Sequence, residues 1–157
     1  MSTSIAITMP SADVIEGHFA KLTAPLYMGH LLDLVGALVE SQTQKRIHEQ
    51  KTAPDGTPWP EWSEKYKATR HKNQSMLESH GDLLTSIDHV VHAGLGESEV
   101  EVGSRLRYSA AQNYGAHFSI VSTHHEVNIP ARQYLGLSDD NTRELDELVV
   151  NYLGTLL

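Results

Sequence analysis

Between Tyr27 and Val39 the chain places Tyr27, Met28, Leu31, Leu32, Leu34, Val35, Leu38 and Val39 within one broad arc at about 100° per residue. Asp33, Glu40 and Gln44 lie opposite. An apolar arc this wide marks a helix laid against a core, and it commits the rest of the chain to supplying that core. Beyond Val39 the same face turns polar, with Gln42, Lys45, Arg46 and Glu49. Either the helix outruns the core there, or that end meets a polar partner. Ala24-Pro25 separates this helix from a shorter one, capped at Ser11 and reaching about Leu22. Residues 4–9 are β-branched and short, as a first strand would be.

The elements that follow are short. Residues 51–62 hold three prolines and a Pro-Asp-Gly turn, which excludes regular structure. Ser63 then caps a short helix from Glu64 to about His71. Residues 82–86 lead into a strand at 87–93, and residues 94–98 form a turn. Glu99, Val100, Glu101 and Val102 alternate, valines in and glutamates out. The two strands form an antiparallel hairpin with one wet face. Residues 108–114 suit a short helix closed by Gly115. Two further strands fit residues 118–121 and 127–129, with His124, His125 and Glu126 at their tip.

Leu145, Leu148, Val149, Tyr152, Leu153 and Leu156 recur at helical spacing, and Asp139, Asp140 and Asn141 favour a helix start before them. The expected fold class is α+β. A long core helix and a C-terminal amphipathic helix pack on a small antiparallel sheet, in a single domain spanning residues 1–157.

Charge and composition narrow the function. Twelve Lys plus Arg stand against 20 Asp plus Glu, a net charge of -8, which disfavours nucleic acid as the main partner. There is no cysteine, so disulfides and thiolate metal sites are excluded. The N-terminus has no basic leader region, and the most apolar run, residues 31–39, falls far short of the roughly 20 residues of a membrane span. The expectation is a protein made and used in the cytoplasm, with no membrane partner.

Catalytic patterns are missing as well. His89 and His92 sit three apart on a strand and point to opposite faces, a poor chelating arrangement. His124-His125 has the same defect unless it lies in a loop, and His71, His80 and His117 lack a local partner at ligand spacing. No nucleophile elbow or phosphate-binding glycine loop occurs. Neither a metal nor a cofactor is expected, and a histidine-based metal hydrolase is the rival from another class, ahead of a nucleic-acid-binding adaptor. Trp59, Trp62 and Tyr66 interleave with Lys65, Lys67, Arg70 and Lys72, a pattern that can hold single-stranded nucleic acid. Prolines brace both tryptophans, however, so packing onto the core is the simpler use, contact with a protein the next, and nucleic acid the last.

Four segments, taken in order, carry a resemblance. The first is Pro54-Asp55-Gly56-Thr57-Pro58-Trp59-Pro60 with Ser63 and Tyr66. The second runs from Leu77 through His80-Gly81-Asp82-Leu83-Leu84-Thr85-Ser86-Ile87. The third is Val100-Glu101-Val102-Gly103-Ser104 with Tyr108 through Tyr114-Gly115. The fourth is Ile129-Pro130-Ala131-Arg132-Gln133-Tyr134-Leu135-Gly136-Leu137-Ser138. In this order, over about residues 47 to 140, the chain resembles the Mu-like phage virion morphogenesis, or tail completion, family.

The resemblance implies a virion protein that finishes or caps the tail so that it can join the head. It implies no enzymatic activity, no cofactor and a ring-forming homo-oligomer. The implied partners are tail tube or tail terminator proteins, with head–neck proteins as a further option. A head–tail connector or neck protein is the rival within this class. One departure stands out: Gln112 occupies a position where the family pattern has His, and Gln cannot act as an acid, base or nitrogen ligand.

Interfaces are anchored by aromatic residues and arginines. Trp59, Trp62, Arg132, Tyr134 and Arg46 are therefore the candidate interface residues, with packing inside the chain as the alternative. Pro130 stiffens the approach to Arg132. That places an arginine fork where it meets a carboxylate, either on a partner or internally at Asp139, Asp140 or the hairpin glutamates.

Overall fold

The computed structural model describes residues 16–17, 19–21, 24–71, 74–94, 98–122 and 125–156. The strand expected at 4–9 lies outside the described residues, as do most of the helix expected at 11–22, residues 95–97 of the first hairpin turn, and His124.

The long helix α1 spans Pro25–Lys45. Pro25 occupies its first turn, where the missing N–H is harmless and the fixed φ already helical. The helix does not stop at Lys45 but widens into a π-helical turn, Arg46–Gln50. It ends at Lys51, which adopts a left-handed φ of 55°. The Lys51 ammonium closes that end by donating to the Ile47 carbonyl, to the Met76 carbonyl at 3.1 Å and to Glu78 at 2.7 Å. Burial pushes the Glu78 carboxyl up, but hydrogen bonds from Lys51, His48 and Ser75 outweigh it and hold the carboxyl at about 2.

Strands β1 (Ile87–His92) and β2 (Glu99–Ser104) pair antiparallel, Ile87 opposite Ser104 and His92 opposite Glu99. Glu99 and Glu101 face water while Val100 and Val102 turn inward, as the alternation predicts. Both strands lie on α1. Helix α2 (Glu64–Lys67) is shorter than the expected reach to His71, and Ser63 caps it by accepting from the Tyr66 amide. Helix α3 (Asp82–Thr85) leads into β1, and α4 (Ser109–Tyr114) ends at Gly115. Strands β3 (Ala116–Ile120) and β4 (His125–Ile129) form a second antiparallel hairpin. Helix α5 (Asp139–Leu156) closes the chain.

The α+β class holds, but the sheet differs from the expectation. There are two separate two-stranded sheets, β1–β2 and β3–β4, rather than one. Helix α5 packs chiefly along α1, where the Tyr152 hydroxyl donates to the Tyr27 carbonyl at 3.0 Å. The arc of α1 is wide enough to take the first hairpin on one side and α5 on the other. That leaves β3–β4 without a substantial packing partner among the described elements.

The best-buried core is not under the apolar arc. It consists of Ile47, Trp59, Leu83, Ile87 and Tyr134, gathered at the polar end of α1. Leu31, Leu34, Val35 and Leu38 of the arc are only half-buried, whereas Gln42, Thr43 and Arg46 are buried. The polar end of the helix therefore enters the core through Gln42, Thr43 and Arg46, while Lys45 and Glu49 stay exposed.

Candidate functional site

Residues 130–138 connect β4 to α5 without regular structure. Buried backbone in such a segment has no ladder to satisfy it, so its amides and carbonyls need partners from elsewhere. Arg46 reaches from α1 and donates through Nη1 to the carbonyls of Tyr134 at 2.9 Å and Gly136 at 2.6 Å. Its Nη2 donates to Asn141 Oδ1 at 2.5 Å. One turn earlier, Gln42 donates to Glu144 on α5 at 2.6 Å. Trp59 Nε1 donates to the Gln133 carbonyl at 3.0 Å. Asn113 Oδ1 accepts from the amides of Tyr134 at 2.9 Å and Leu135 at 3.0 Å. The Tyr134 hydroxyl donates to the Ser109 carbonyl at 3.2 Å.

Gly136 has a φ of 133°, and a Cβ there would sit 2.8 Å from Pro54 Cγ, so the proline loop and this segment touch through a position only glycine fills without strain. Ser138 and Asn141 cap α5 reciprocally. Asn141 N donates to Ser138 Oγ and Ser138 N to Asn141 Oδ1, each at 3.2 Å.

Arg132 sits in the same segment. Its Nε donates to the Pro60 carbonyl at 3.0 Å and its Nη2 to the Glu61 carbonyl at 3.2 Å. Burial draws both Arg132 and Arg46 below the ordinary arginine range and raises Tyr134. A guanidinium does not deprotonate in proteins, so Arg46 holds this segment by its carbonyls with a buried positive charge, and Arg132 holds the proline loop by the carbonyls of Pro60 and Glu61.

Residues 54–60, 108–115 and 129–138, three of the four stretches that carry the resemblance, thus meet at one place. The sequence model of the phage virion morphogenesis family matches residues 15–154 of the chain. The chain belongs to that family. No curated protein and no solved structure matches it. Members of a phage virion morphogenesis family serve phage virion assembly, and that is the role of this chain. Within the family fold, the convergence of those stretches has a local physical reason: each supplies a donor, an acceptor or a close approach to the 130–138 segment.

Of the five candidate interface residues, Arg46, Trp59, Arg132 and Tyr134 are between 1% and 6% exposed and bond inside the chain. The carboxylate expected for Arg132 is neither Asp139 or Asp140 nor a hairpin glutamate. Its fork goes instead to the main-chain carbonyls of Pro60 and Glu61, which lie in an irregular stretch outside any strand. Trp62 is the exception. It is half-buried and lies edge-on to Tyr66 with ring centroids 5.9 Å apart.

Trp62 and Tyr66 line a cleft of about 940 Å³. Residues 126–130 line it too, with Arg70, Tyr108, Gln112 and Arg132. The Arg70 guanidinium lies 4.2 Å over the Tyr66 ring, a cation–π contact.

Sequence reasoning missed the second hairpin as a surface. Phe118 and Ile120 on β3 are 46% and 40% exposed, and Tyr114 and Val121 flanking that strand are more so. The alternation of Phe118 and Ile120 was legible, but not the lack of anything covering that face. Asn113 was also missed, since one polar residue before a glycine reads only as a helix end.

Among the described residues, two groups have metal-ligand spacing, Glu40 with Asp88 and His89, and His92 with Glu99 and Glu101. His89 and His92 do part to opposite faces. His89 turns toward α1, where Nδ1 lies 2.9 Å from Glu40 and Nε2 3.2 Å from Asp33. The hydrogen bond to Glu40, with help from Asp33, raises the His89 pKa against the opposing effect of burial. The His89 ring between two carboxylates is a strap from α1 to β1, with both of its nitrogens engaged.

Proposed function

We propose that this protein completes the phage tail, closing its end so that it can join the head, as a closed ring of identical chains. It works through contacts with tail tube or tail terminator proteins rather than through catalysis. It is assembled in the host cytoplasm and retained in the tail of the virion. Family membership supports a role in virion assembly. The observation that carries the finer reading is the β3–β4 hairpin. A lone two-stranded hairpin is marginal in water, yet among the described elements this one has no substantial packing partner, and Phe118, Ile120 and Val121 are exposed. A contiguous apolar patch of this kind on a small chain marks a surface meant for another protein. Cyclic closure is the usual way for identical subunits to satisfy such surfaces.

The test is genetic complementation with the double variant Phe118→Ser, Ile120→Ser. Phe118 and Ile120 are 46% and 40% exposed, so the purified variant should lose no more than about 2–3 kcal/mol and stay folded, which circular dichroism checks first. Filled heads and unjoined tails should accumulate in the cell, seen by electron microscopy. Normal titres of infectious particles from a folded variant would refute the reading. Tails that join normally while heads fail to fill would move the protein to the neck.

A further inference from the structure

The cleft beside β4 has a feature that tail completion alone does not use. Residues Glu126, Val127, Asn128, Ile129 and Pro130 line it in an unbroken run, and no residue of β3 does. Side chains along a strand point alternately to opposite faces. An unbroken run at a cleft therefore means that the cleft meets the edge of the strand, not one face. Among the described residues the sheet has two strands, and none of them pairs with the edge of β4 away from β3. Among the described residues, no backbone hydrogen bond outside the β3 pairing engages residues 126–129. An open strand edge is a template for another strand.

Two arginines line the same cleft, one of them near enough to Glu61 to feel its charge. Arg132 is 6% exposed, and its Nε and Nη2 are bonded to carbonyls. No hydrogen bond reaches its Nη1, and the residue lines the cleft. Arg70 bonds Ser79 through Nη1 at 3.3 Å, while its Nε is shielded from water and has no partner. No carboxylate of the described residues lies within ion-pair distance of either guanidinium. Glu61, Asp82 and Glu126 also line the cleft, so a run of acidic residues would be repelled and a single carboxylate would not. Trp62, Tyr66 and Tyr108 supply apolar walls on either side.

We propose that an extended segment of a partner protein, carrying one Asp or Glu, adds as a third strand along the open edge of β4 and sets that carboxylate on Arg132 and Arg70. Backbone pairing supplies affinity without sequence preference, the guanidinium pair selects the carboxylate, and the aromatic walls take its apolar neighbours. The site rests on the virion-assembly reading for the kind of partner, but its chemistry can be tested on the purified chain alone.

The probe is an array of capped heptapeptides with a central Glu and flanks drawn from Val, Ile, Thr and Tyr, each paired with its central Gln counterpart. The best Glu peptide is then titrated in solution against the full chain, with amide shifts followed by NMR. Saturable binding is expected, with shifts concentrated at residues 126–130 and the Trp62 indole. Replacing Glu by Gln should weaken it by roughly tenfold or more. N-methylation of alternate peptide nitrogens on the pairing side should abolish it, and Arg70→Gln, at the cleft wall and outside the core, should weaken it similarly.

The proposal is overturned if no Glu peptide outbinds its Gln counterpart, or if the N-methylated peptide binds as well. It is also overturned if light scattering shows self-association that Arg70→Gln abolishes, because the cleft would then hold a second copy. None of these results bears on the Phe118, Ile120 complementation, so the two readings fail separately.

Discussion

Replacing Arg46 by alanine tests whether the polar end of α1 is structural. The side chain is 1% exposed and donates to three acceptors. Two of these are main-chain carbonyls that no compensating mutation can remove. The Tyr134 bond is fully buried and the Gly136 bond only partly, so water can reach the second carbonyl more easily than the first. Asn141 Oδ1 keeps the Ser138 amide.

Leaving the Tyr134 carbonyl bare should cost about 2 kcal/mol, with about 1 kcal/mol each for the weaker losses at Gly136 and Asn141. Against this, the chain no longer desolvates a guanidinium whose Nε has no partner. The net is a destabilisation of about 3 kcal/mol. At roughly 2–4 °C per kcal/mol for a chain of this size, the thermal midpoint should fall by about 6–12 °C. Arg46→Met restores much of the volume and none of the hydrogen bonds, so it should recover less than half of the loss. Thermal unfolding followed by circular dichroism measures both. An alanine variant melting with the parent, or a methionine variant that recovers full stability, would refute hydrogen bonding as the reason this arginine is buried.

Gly36→Ala should destabilise despite the helix preference for alanine of about 1 kcal/mol, because the added Cβ would sit 2.4 Å from His89 Cδ2 and 2.9 Å from Val100 Cγ2. A loss of about 1–2 kcal/mol in urea titration is expected, and a gain would show that α1 and β1 have room to part. His89 adds a pH dependence. Its folded pKa is raised above 6.5, so its strap is fully present below 6.5 and weakens as pH rises through the folded value. Stability should therefore carry a component that declines on the alkaline side of 6.5 and vanishes in His89→Gln, and identical pH profiles for the two chains would contradict it. Trp59→Phe keeps most of the buried ring but removes the donor to the Gln133 carbonyl, with an expected cost of about 1–2 kcal/mol. Near-parental melting in that variant would mean that water replaces the indole N–H.

Several elements were legible without any structure. The apolar arc at 27–39 requires a helix because its period is set by backbone geometry alone. The Glu99–Val102 alternation requires a strand with one wet face for the same reason, and the spacing at 145–156 requires the last helix. Gly115 and Ser63 punctuate the chain where local stereochemistry asks for them. The family resemblance lies in short motifs, and these too are sequence properties.

Tertiary structure decided what the polar and aromatic residues do. Arg46, Arg132, Trp59 and Tyr134 have the composition of an interface, and a sequence cannot distinguish a donor aimed at a partner from one aimed at the chain's own carbonyls. That choice depended on residues 130–138 being irregular with Arg132 and Tyr134 buried among them, so that main-chain groups there took donors from α1 and the proline loop and an acceptor from α4. Likewise, Phe118 and Ile120 alternate as any half-buried strand would, and only the three-dimensional arrangement leaves them uncovered. Period and local stereochemistry are encoded within a few residues; burial and hydrogen-bond partnership belong to the whole fold.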